Sequence, residues 1–140
     1  MRLLELLPTE GFRLTQRFII QEKPPYAILS HTWGDDEVTY EDVVNHSGTT
    51  KAGYEKIRFC ARQAAKDGLQ YFWVDSCCIN KSSDAELSES LNSMFRWYAE
   101  AEKCYVYLSD VSTRKRKAMD ENSHNTWKQA FRESRWFARG

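Results

Sequence analysis

The sequence predicts an α/β domain built around a parallel sheet, because short apolar segments alternate along the chain with segments of helical periodicity. Strands are expected at 26–30, 70–75 and 103–108, and helices at 51–67 and 83–101. This order of strand, helix, strand, helix and strand is typical of parallel strands joined by right-handed crossovers. Ligands of such sheets bind beyond the carboxyl ends of the strands, so the residues that follow each strand are the candidates for function.

Length and charge limit the class of protein. The 140 residues fit one domain, which would bury roughly two-thirds of its unfolded surface. Twenty basic and twenty acidic residues cancel, so net charge gives no argument for nucleic acid or a membrane as partner. There is no N-terminal apolar run of signal-peptide length, and no apolar run approaches the ~20 residues that cross a bilayer. We expect a cytoplasmic protein with reduced cysteines.

The segments before the first helix are read as follows. Residues 1–25 predict an edge hairpin or a short docking segment, since apolar side chains alternate over 12–18. The Pro-Pro pair at 24–25 disfavours helix, and the apolar run at 27–29 is typical of a strand covered on both faces. The polar stretch 35–48 predicts a loop with a short helical turn, a candidate lid.

Both helices carry recognisable end signals. Thr49 and Thr50 are candidate caps of the first helix, and Gly68 suits its end because glycine adopts left-handed backbone without steric cost. Ser83 begins the second helix. The KCYVYL segment at 103–108 is aromatic and β-branched, which predicts the third strand. The second helix is expected to bury an apolar face made of Leu87, Leu91, Met94, Phe95 and Tyr98.

The chain therefore divides into an N-terminal segment, an α/β core over 26–110, and two later segments. Residues 111–126 combine a basic run with acidic residues and hold almost nothing apolar, which predicts an exposed, mobile loop. The basic run at 114–117 lacks aromatic interleaving and is weak evidence for nucleic-acid binding. Residues 127–140 begin with a short predicted helix.

Polar side chains follow the first two core strands, and a shared cleft is expected where those strands end. An acid directly after an apolar strand needs a partner, which for Asp75 is a ligand hydroxyl, Ser76 or the amides of the next helix. His31 either contacts a ligand or fixes the turn, and Trp33 either stacks on a ligand ring or packs under the loop. The binding candidates at these strand ends are Ser30, His31, Trp33, Gly34, Asp75, Cys78 and Asn80.

Adjacent cysteines beside a histidine invite a thiol-protease or zinc interpretation. Cys77 and Cys78 lack the separation of a zinc knuckle, and no further ligands stand out. We interpret them as small buried hydrophobic residues and expect no metal. A glycine-rich phosphate loop is absent from the sequence, so a nucleotide would need side-chain contacts.

Three blocks in order resemble the fungal heterokaryon incompatibility (HET) domain over roughly residues 26–140. They are YAILSHTWG, then WVDSCCINKSSDAELSESLNSMFRWY with CYVYLSDV, then SRWFARG. The family's usual Gln after Cys-Ile-Asn is Lys81 here. Its last block usually continues into a Trp-Thr-Leu-Gln-Glu segment that is missing, so we expect the block at 127–140 to be truncated.

The resemblance implies a role in fungal self/non-self recognition, with growth arrest or cell death when incompatible hyphae fuse. It implies self-association, or other HET or NOD-like signalling proteins, as partners. The domain is also similar to Toll/interleukin-1 receptor (TIR) domains, which implies a flavodoxin-like or TIR-like three-layer fold with a mostly parallel central sheet.

NAD-cleaving TIR domains carry a glutamate on a later helix, and Glu86 falls at that position. The resemblance implies that Glu86 is the catalytic carboxylate, which would hold the ribose hydroxyls and stabilise oxocarbenium-like charge as nicotinamide leaves. NAD would be a substrate, and no cofactor is expected. Alternatively, Glu86 only completes a capping box with Ser83, in a non-enzymatic adaptor. Arg135, Trp136 and Arg139 form a cationic and aromatic cluster that could meet a dinucleotide phosphate. Alternatively, Trp136 and Phe137 cover the sheet edge left by truncation.

Overall fold

The computed structural model describes residues 1–9, 11–19 and 21–108, which form one five-stranded sheet and three helices. In chain order the elements are β1 (Leu4–Leu6), β2 (Phe12–Leu14), β3 (Tyr26–His31), α1 (Tyr40–Val44), α2 (Tyr54–Lys66), β4 (Tyr71–Trp73), α3 (Asp84–Glu100) and β5 (Lys103–Tyr107).

The predicted core of the sheet is confirmed. β3 pairs in parallel with β4 on one side and with β5 on the other, with α2 and α3 in the two connections. Every residue of β3 is buried, as expected for a strand that lies between two neighbours and is covered on both faces. The carboxyl ends of β3 and β4 therefore meet at one edge of the sheet.

The prediction of a mostly parallel sheet is confirmed only for the pairings of β3 with β4 and β5, because the sheet is mixed. β1 pairs antiparallel with both β2 and β4, giving the order β2-β1-β4-β3-β5. The chain reverses tightly between β1 and β2, where the Leu7 amide donates to the Gly11 carbonyl at 3.0 Å and Gly11 has a φ of 93°. Such a short connection requires antiparallel pairing. A flavodoxin-like or TIR-like arrangement stays a prediction.

Helix α3 is confirmed, but part of its predicted apolar face is wrong. Leu91 and Phe95 are 63% and 88% exposed, whereas Ser90 and Trp97 are buried. The Trp97 ring packs edge-on against Trp73 of β4, with centroids 5.6 Å apart. This contact orients α3 so that the side carrying residues 90, 94 and 97 faces the sheet. Residues 87, 91 and 95 are spaced four apart, which exceeds the 3.6 residues of one helical turn. A row with that spacing therefore winds around the helix and away from the sheet.

Helix α2 begins at Tyr54, and the predicted caps Thr49 and Thr50 are wrong. The N-cap is Gly53, which has no side chain to accept a hydrogen bond. Its amide instead donates to the Asp36 carbonyl at 2.9 Å. Residues 48–53 are occupied by turns, including a hydrogen bond from the Lys51 amide to the Gly48 carbonyl. The predicted end of the helix is confirmed by Gly68, whose φ is 74°.

Candidate functional site

The carboxyl ends of β3 and β4 bring three predicted site residues into direct contact. His31 ends β3, and its Nε2 lies 2.7 Å from Oδ1 of Asp75, which follows β4. Trp33 Nε1 donates to the other carboxylate oxygen of Asp75 at 3.0 Å. The acid therefore has the partner that its position required, and that partner belongs to the chain itself.

Behind His31 lies a buried lysine. Lys56 of α2 has its Nζ 3.4 Å from His31 Nδ1, donates to the Thr32 carbonyl at 2.8 Å and forms an ion pair with Glu37. Both Lys56 and Glu37 are buried, and Glu37 also accepts from the Gly34 amide at 2.7 Å. We call Asp75, His31, Lys56 and Glu37 the buried polar chain.

The hydrogen-bond partners orient the imidazole. An ionised carboxylate only accepts, so Nε2 of His31 donates to Asp75, and Nδ1 faces the Lys56 Nζ. Burial raises the pKa of Asp75. The hydrogen bond and electrostatic attraction of His31, the hydrogen bond from Trp33 and the positive charge of Lys81 together outweigh that effect. The net effect lowers the pKa of Asp75 below its ordinary value, so its carboxylate is ionised at neutral pH.

The accessible part of the site is aromatic and cationic. Trp33 is 45% exposed, and Lys81 Nζ lies 4.5 Å from the centre of its ring. Lys81 also donates to the carbonyls of Asp75 and Ser76, at 2.7 and 3.2 Å. Partial burial lowers the pKa of Lys81, and the charge of Asp75 opposes that shift. Through these contacts Lys81 holds the loop after β4 against the Trp33 ring.

Glu86 is held by other groups. Its carboxylate forms an ion pair with Arg2 and accepts from the Asn80 amide at 3.2 Å, and its side chain is only 11% exposed. The Glu86 amide donates to the Ser83 hydroxyl at 3.4 Å, so one half of the predicted capping box forms. The cavity that Glu86 borders holds about 10 Å³, room for about one water molecule.

The remaining candidates divide into buried, loop-shaping and undescribed residues. Ser30 is buried within β3, and Cys78 is buried with its sulfur accepting from the Val74 amide at 3.4 Å. Asn80 shapes its own turn, since its Oδ1 accepts from the Ser82 amide at 3.2 Å. Arg135 and Trp136 lie outside the described residues, as does everything predicted for 109–140.

Two of the buried thiols are disfavoured as nucleophiles. No disulfide joins the four cysteines, and Cys60, Cys77 and Cys78 are buried. A hydrogen bond with Cys78, together with burial, raises the pKa of Cys77 well above its ordinary value. Burial raises the pKa of Cys60 as well. A thiolate is therefore disfavoured at both positions. Within the part of the chain that the structure describes, no group of three His, Cys, Asp or Glu side chains is placed to hold a metal ion.

Comparison with known proteins identifies the family. Residues 26–140 match the family model described as heterokaryon incompatibility protein (HET). The chain belongs to the HET family. It is 54% identical over 142 residues to "Vegetative incompatibility protein HET-E-1" of Podospora anserina, an alignment that covers all of this chain and 10% of the relative. This chain thus spans about a tenth of that relative's length. No solved structure matches this chain.

Three residues of this HET domain that hold candidate site residues in place were missed from sequence: Arg2, Glu37 and Lys56. Lys81 was noted only as a departure from the family pattern. Lys56 carried a usable signal, because it shares one helical face with Cys60 and Ala64, four and eight residues later, and both are buried. A lysine at a buried position needs an acidic partner. Nothing local marks Glu37 as that partner.

In the described 1–108 region, with its gaps at 10 and 20, no helix is long and apolar enough to span a membrane.

Proposed function

We propose that this chain is an incompatibility domain that triggers growth arrest or cell death when incompatible fungal hyphae fuse. The observation that carries the proposal is the 54% identity, along the whole chain, to a vegetative incompatibility protein. Its partners would be further copies of itself or other HET or NOD-like signalling proteins. The site at the ends of β3 and β4 would maintain the loop geometry on which this signalling depends.

The finer proposal is that the domain hydrolyses NAD, with Glu86 as the catalytic carboxylate. Water would add to the ribose carbon as the bond to nicotinamide breaks, releasing nicotinamide, ADP-ribose and a proton. Glu86 would hold the ribose hydroxyls and stabilise the developing positive charge. Support comes from its position at the start of α3, directly after the loop that Lys81 fastens beneath Trp33. Trp33 offers a ring face and Lys81 a cation to a dinucleotide.

A non-enzymatic adaptor that signals by self-association is the second candidate. It is favoured by the partners of Glu86, since Arg2 and the Asn80 amide already occupy the carboxylate. The small volume of the adjoining cavity points the same way. In the enzymatic version, NAD would have to displace Arg2 from Glu86.

Nicotinamide release from NAD tests the two versions. The purified domain, concentrated or clustered, is incubated with NAD and compared with Glu86→Gln, which keeps the size of the side chain and removes its charge. Glu89→Gln is the matched control, because Glu89 lies on the same helix in an exposed ion pair with Arg17. If the domain is an enzyme, the rate of nicotinamide release should fall by about 100-fold or more in Glu86→Gln and stay unchanged in Glu89→Gln.

Two results would establish the adaptor instead. One is the absence of release from a folded, clustered sample. The other is undiminished cell killing in hyphae that express Glu86→Gln, with circular dichroism of the purified variant confirming that it folds.

A further inference from the structure

A second concavity lies between the β1–β2 hairpin and helix α2, and it shares no residue with the His31–Asp75 site. Its volume is about 610 Å³, within the range of small-molecule sites, roughly 300–1,000 Å³. The described residues that line it come mainly from two elements, with Thr49 added from the loop before α2. The hairpin contributes Leu6, Leu7 and Phe12, and the helix contributes Tyr54, Arg58 and Arg62.

One part of this groove is apolar and aromatic. Phe12 and Tyr54 pack against each other in its wall, with ring centroids 5.8 Å apart and planes inclined by 35°. The Arg58 guanidinium lies 5.9 Å from the centre of the Tyr54 ring. Phe12 also packs edge-on against Phe72 of β4, with centroids 5.7 Å apart, so its ring is held by the core of the sheet. These rings give that wall a preformed aromatic surface against which an aromatic ligand can pack.

The other part is positively charged. Arg58 and Arg62 are four residues apart on one face of α2, and no acidic side chain is among the described residues that line the groove. Arg58 has a long 3.4 Å contact with Glu55, but both side chains are at least half exposed, so that pair is weak. Arg62 has no ion pair with another described residue.

We propose that this groove binds a small aromatic phosphate monoester. Its ring would lie on the apolar wall near Phe12 and Tyr54, and its phosphate would meet Arg58 and Arg62. Two guanidinium groups match the charge of a phosphate that is close to dianionic at neutral pH, and their planar forks suit its oxygens. The hairpin thereby acquires a binding role that is separate from its place in the sheet.

Calorimetric titration of the full 140-residue chain with 1-naphthyl phosphate tests the proposal. Naphthol supplies the ring without the phosphate, and inorganic phosphate supplies the anion without the ring. Both are expected to bind at least tenfold more weakly than naphthyl phosphate. Arg62→Gln should weaken naphthyl phosphate by about tenfold, the loss of one charge-assisted contact. Arg96→Gln, an exposed arginine on α3, is the matched control and should bind as the unmodified chain does.

A second variant tests whether the ligand lies in the groove. Ala61 lines the groove, so the larger side chain of Ala61→Leu narrows it and should weaken binding while circular dichroism reports a folded chain. In NMR spectra recorded during the titration, the backbone amide signals that shift most should be those of Leu6, Leu7 and Gly11. Equal affinity for naphthyl phosphate and inorganic phosphate would overturn the proposal. So would an affinity for naphthyl phosphate that neither Arg62→Gln nor Ala61→Leu lowers. Because the readout is binding and not nicotinamide release, these results are independent of the proposed NAD hydrolysis.

Discussion

At the scale of single residues, three side chains at the strand ends hydrogen-bond to one another: His31, Trp33 and Asp75. The buried hydroxyls of Thr32 and Ser76 have no partner among the described residues. Asp75 receives hydrogen bonds from His31 and Trp33, and His31 is buried against Lys56. A buried polar group without a partner destabilises the fold, so each member of the buried polar chain depends on the next. The same contacts join the loop after β3 to the loop after β4.

Removing Lys56 should be costly because it leaves the Glu37 carboxylate buried without its counter-charge. We expect Lys56→Met to lower the free energy of unfolding by about 3–5 kcal/mol. Adding Glu37→Gln should recover part of that loss, since the amide oxygen still accepts from the Gly34 amide. Urea denaturation of both single variants and the double variant measures the coupling. Strictly additive losses would contradict a direct buried pair.

Acid should weaken the contribution of Asp75. Its pKa is lowered in the folded state, so its stabilisation is complete above the ordinary pKa of 3.8 and is lost as pH falls through the folded value. We expect Asp75→Asn to lower the free energy of unfolding by about 1–3 kcal/mol at pH 7. The gap between variant and parent should narrow below about pH 4. Urea denaturation at pH 7 and pH 3 checks this, and a gap of constant size would contradict it.

At the scale of elements, the start of α2 is positioned by close backbone contact rather than by a capping side chain. Gly53 is buried against the loop that carries Glu37. A Cβ at Gly53 would stand 2.6 Å from Glu37 Oε2 and 2.9 Å from the Asp36 carbonyl oxygen. Only glycine allows this approach, which brings Lys56, one turn into the helix, within reach of Glu37 and His31.

Gly53→Ala should therefore move the helix away from the loop. We expect a loss of about 1–3 kcal/mol in the free energy of unfolding, typical of overpacking. Gly34→Ala is the matched control, because its Cβ would lie at an ordinary 3.7 Å from Glu37 Oε1. Thermal denaturation of both variants gives the comparison. Equal midpoints would show that the contact at Gly53 yields without cost.

At the scale of the whole molecule, the hairpin belongs to the core rather than to the periphery. Leu3 and Leu4 are fully buried, and β1 lies between β2 and β4. The Thr15 amide donates to the Leu3 carbonyl at 2.8 Å, which extends the pairing beyond the strands. The N-terminal segment thus completes the sheet on one side.

Truncating a hairpin leucine should destabilise the whole fold. We expect Leu4→Ala to cost about 2–5 kcal/mol, with a single cooperative unfolding transition. Leu91→Ala makes the same chemical change at a side chain that is 63% exposed and should cost far less. Urea denaturation followed by tryptophan fluorescence measures both. A separate early transition in Leu4→Ala would mean that the hairpin folds independently of β3, β4 and β5.

The positions of β3, β4, β5, α2 and α3 were predictable because each has a strong local signal. An unbroken apolar run at 27–29 indicates a buried strand, and Ser83 marks the start of α3 by accepting from the Glu86 amide. The pairing of His31 with Asp75 was predictable only as proximity, from the rule that parallel strands end at one edge. The direction of β1 was not predictable, since leucines alternate alike in parallel and antiparallel strands.

The sequence by itself determined the family, the alternation of strands and helices, and the edge of the sheet where the polar motifs meet. All three depend on residues that are near one another in the chain. The tertiary structure decided which groups those motifs contact: Lys56 on His31, Arg2 on Glu86 and Lys81 on Trp33. Two of these contacts join residues 48 and 84 positions apart and one joins residues 25 apart. A charge's partner is set by how elements pack in space, and no local pattern carries that information.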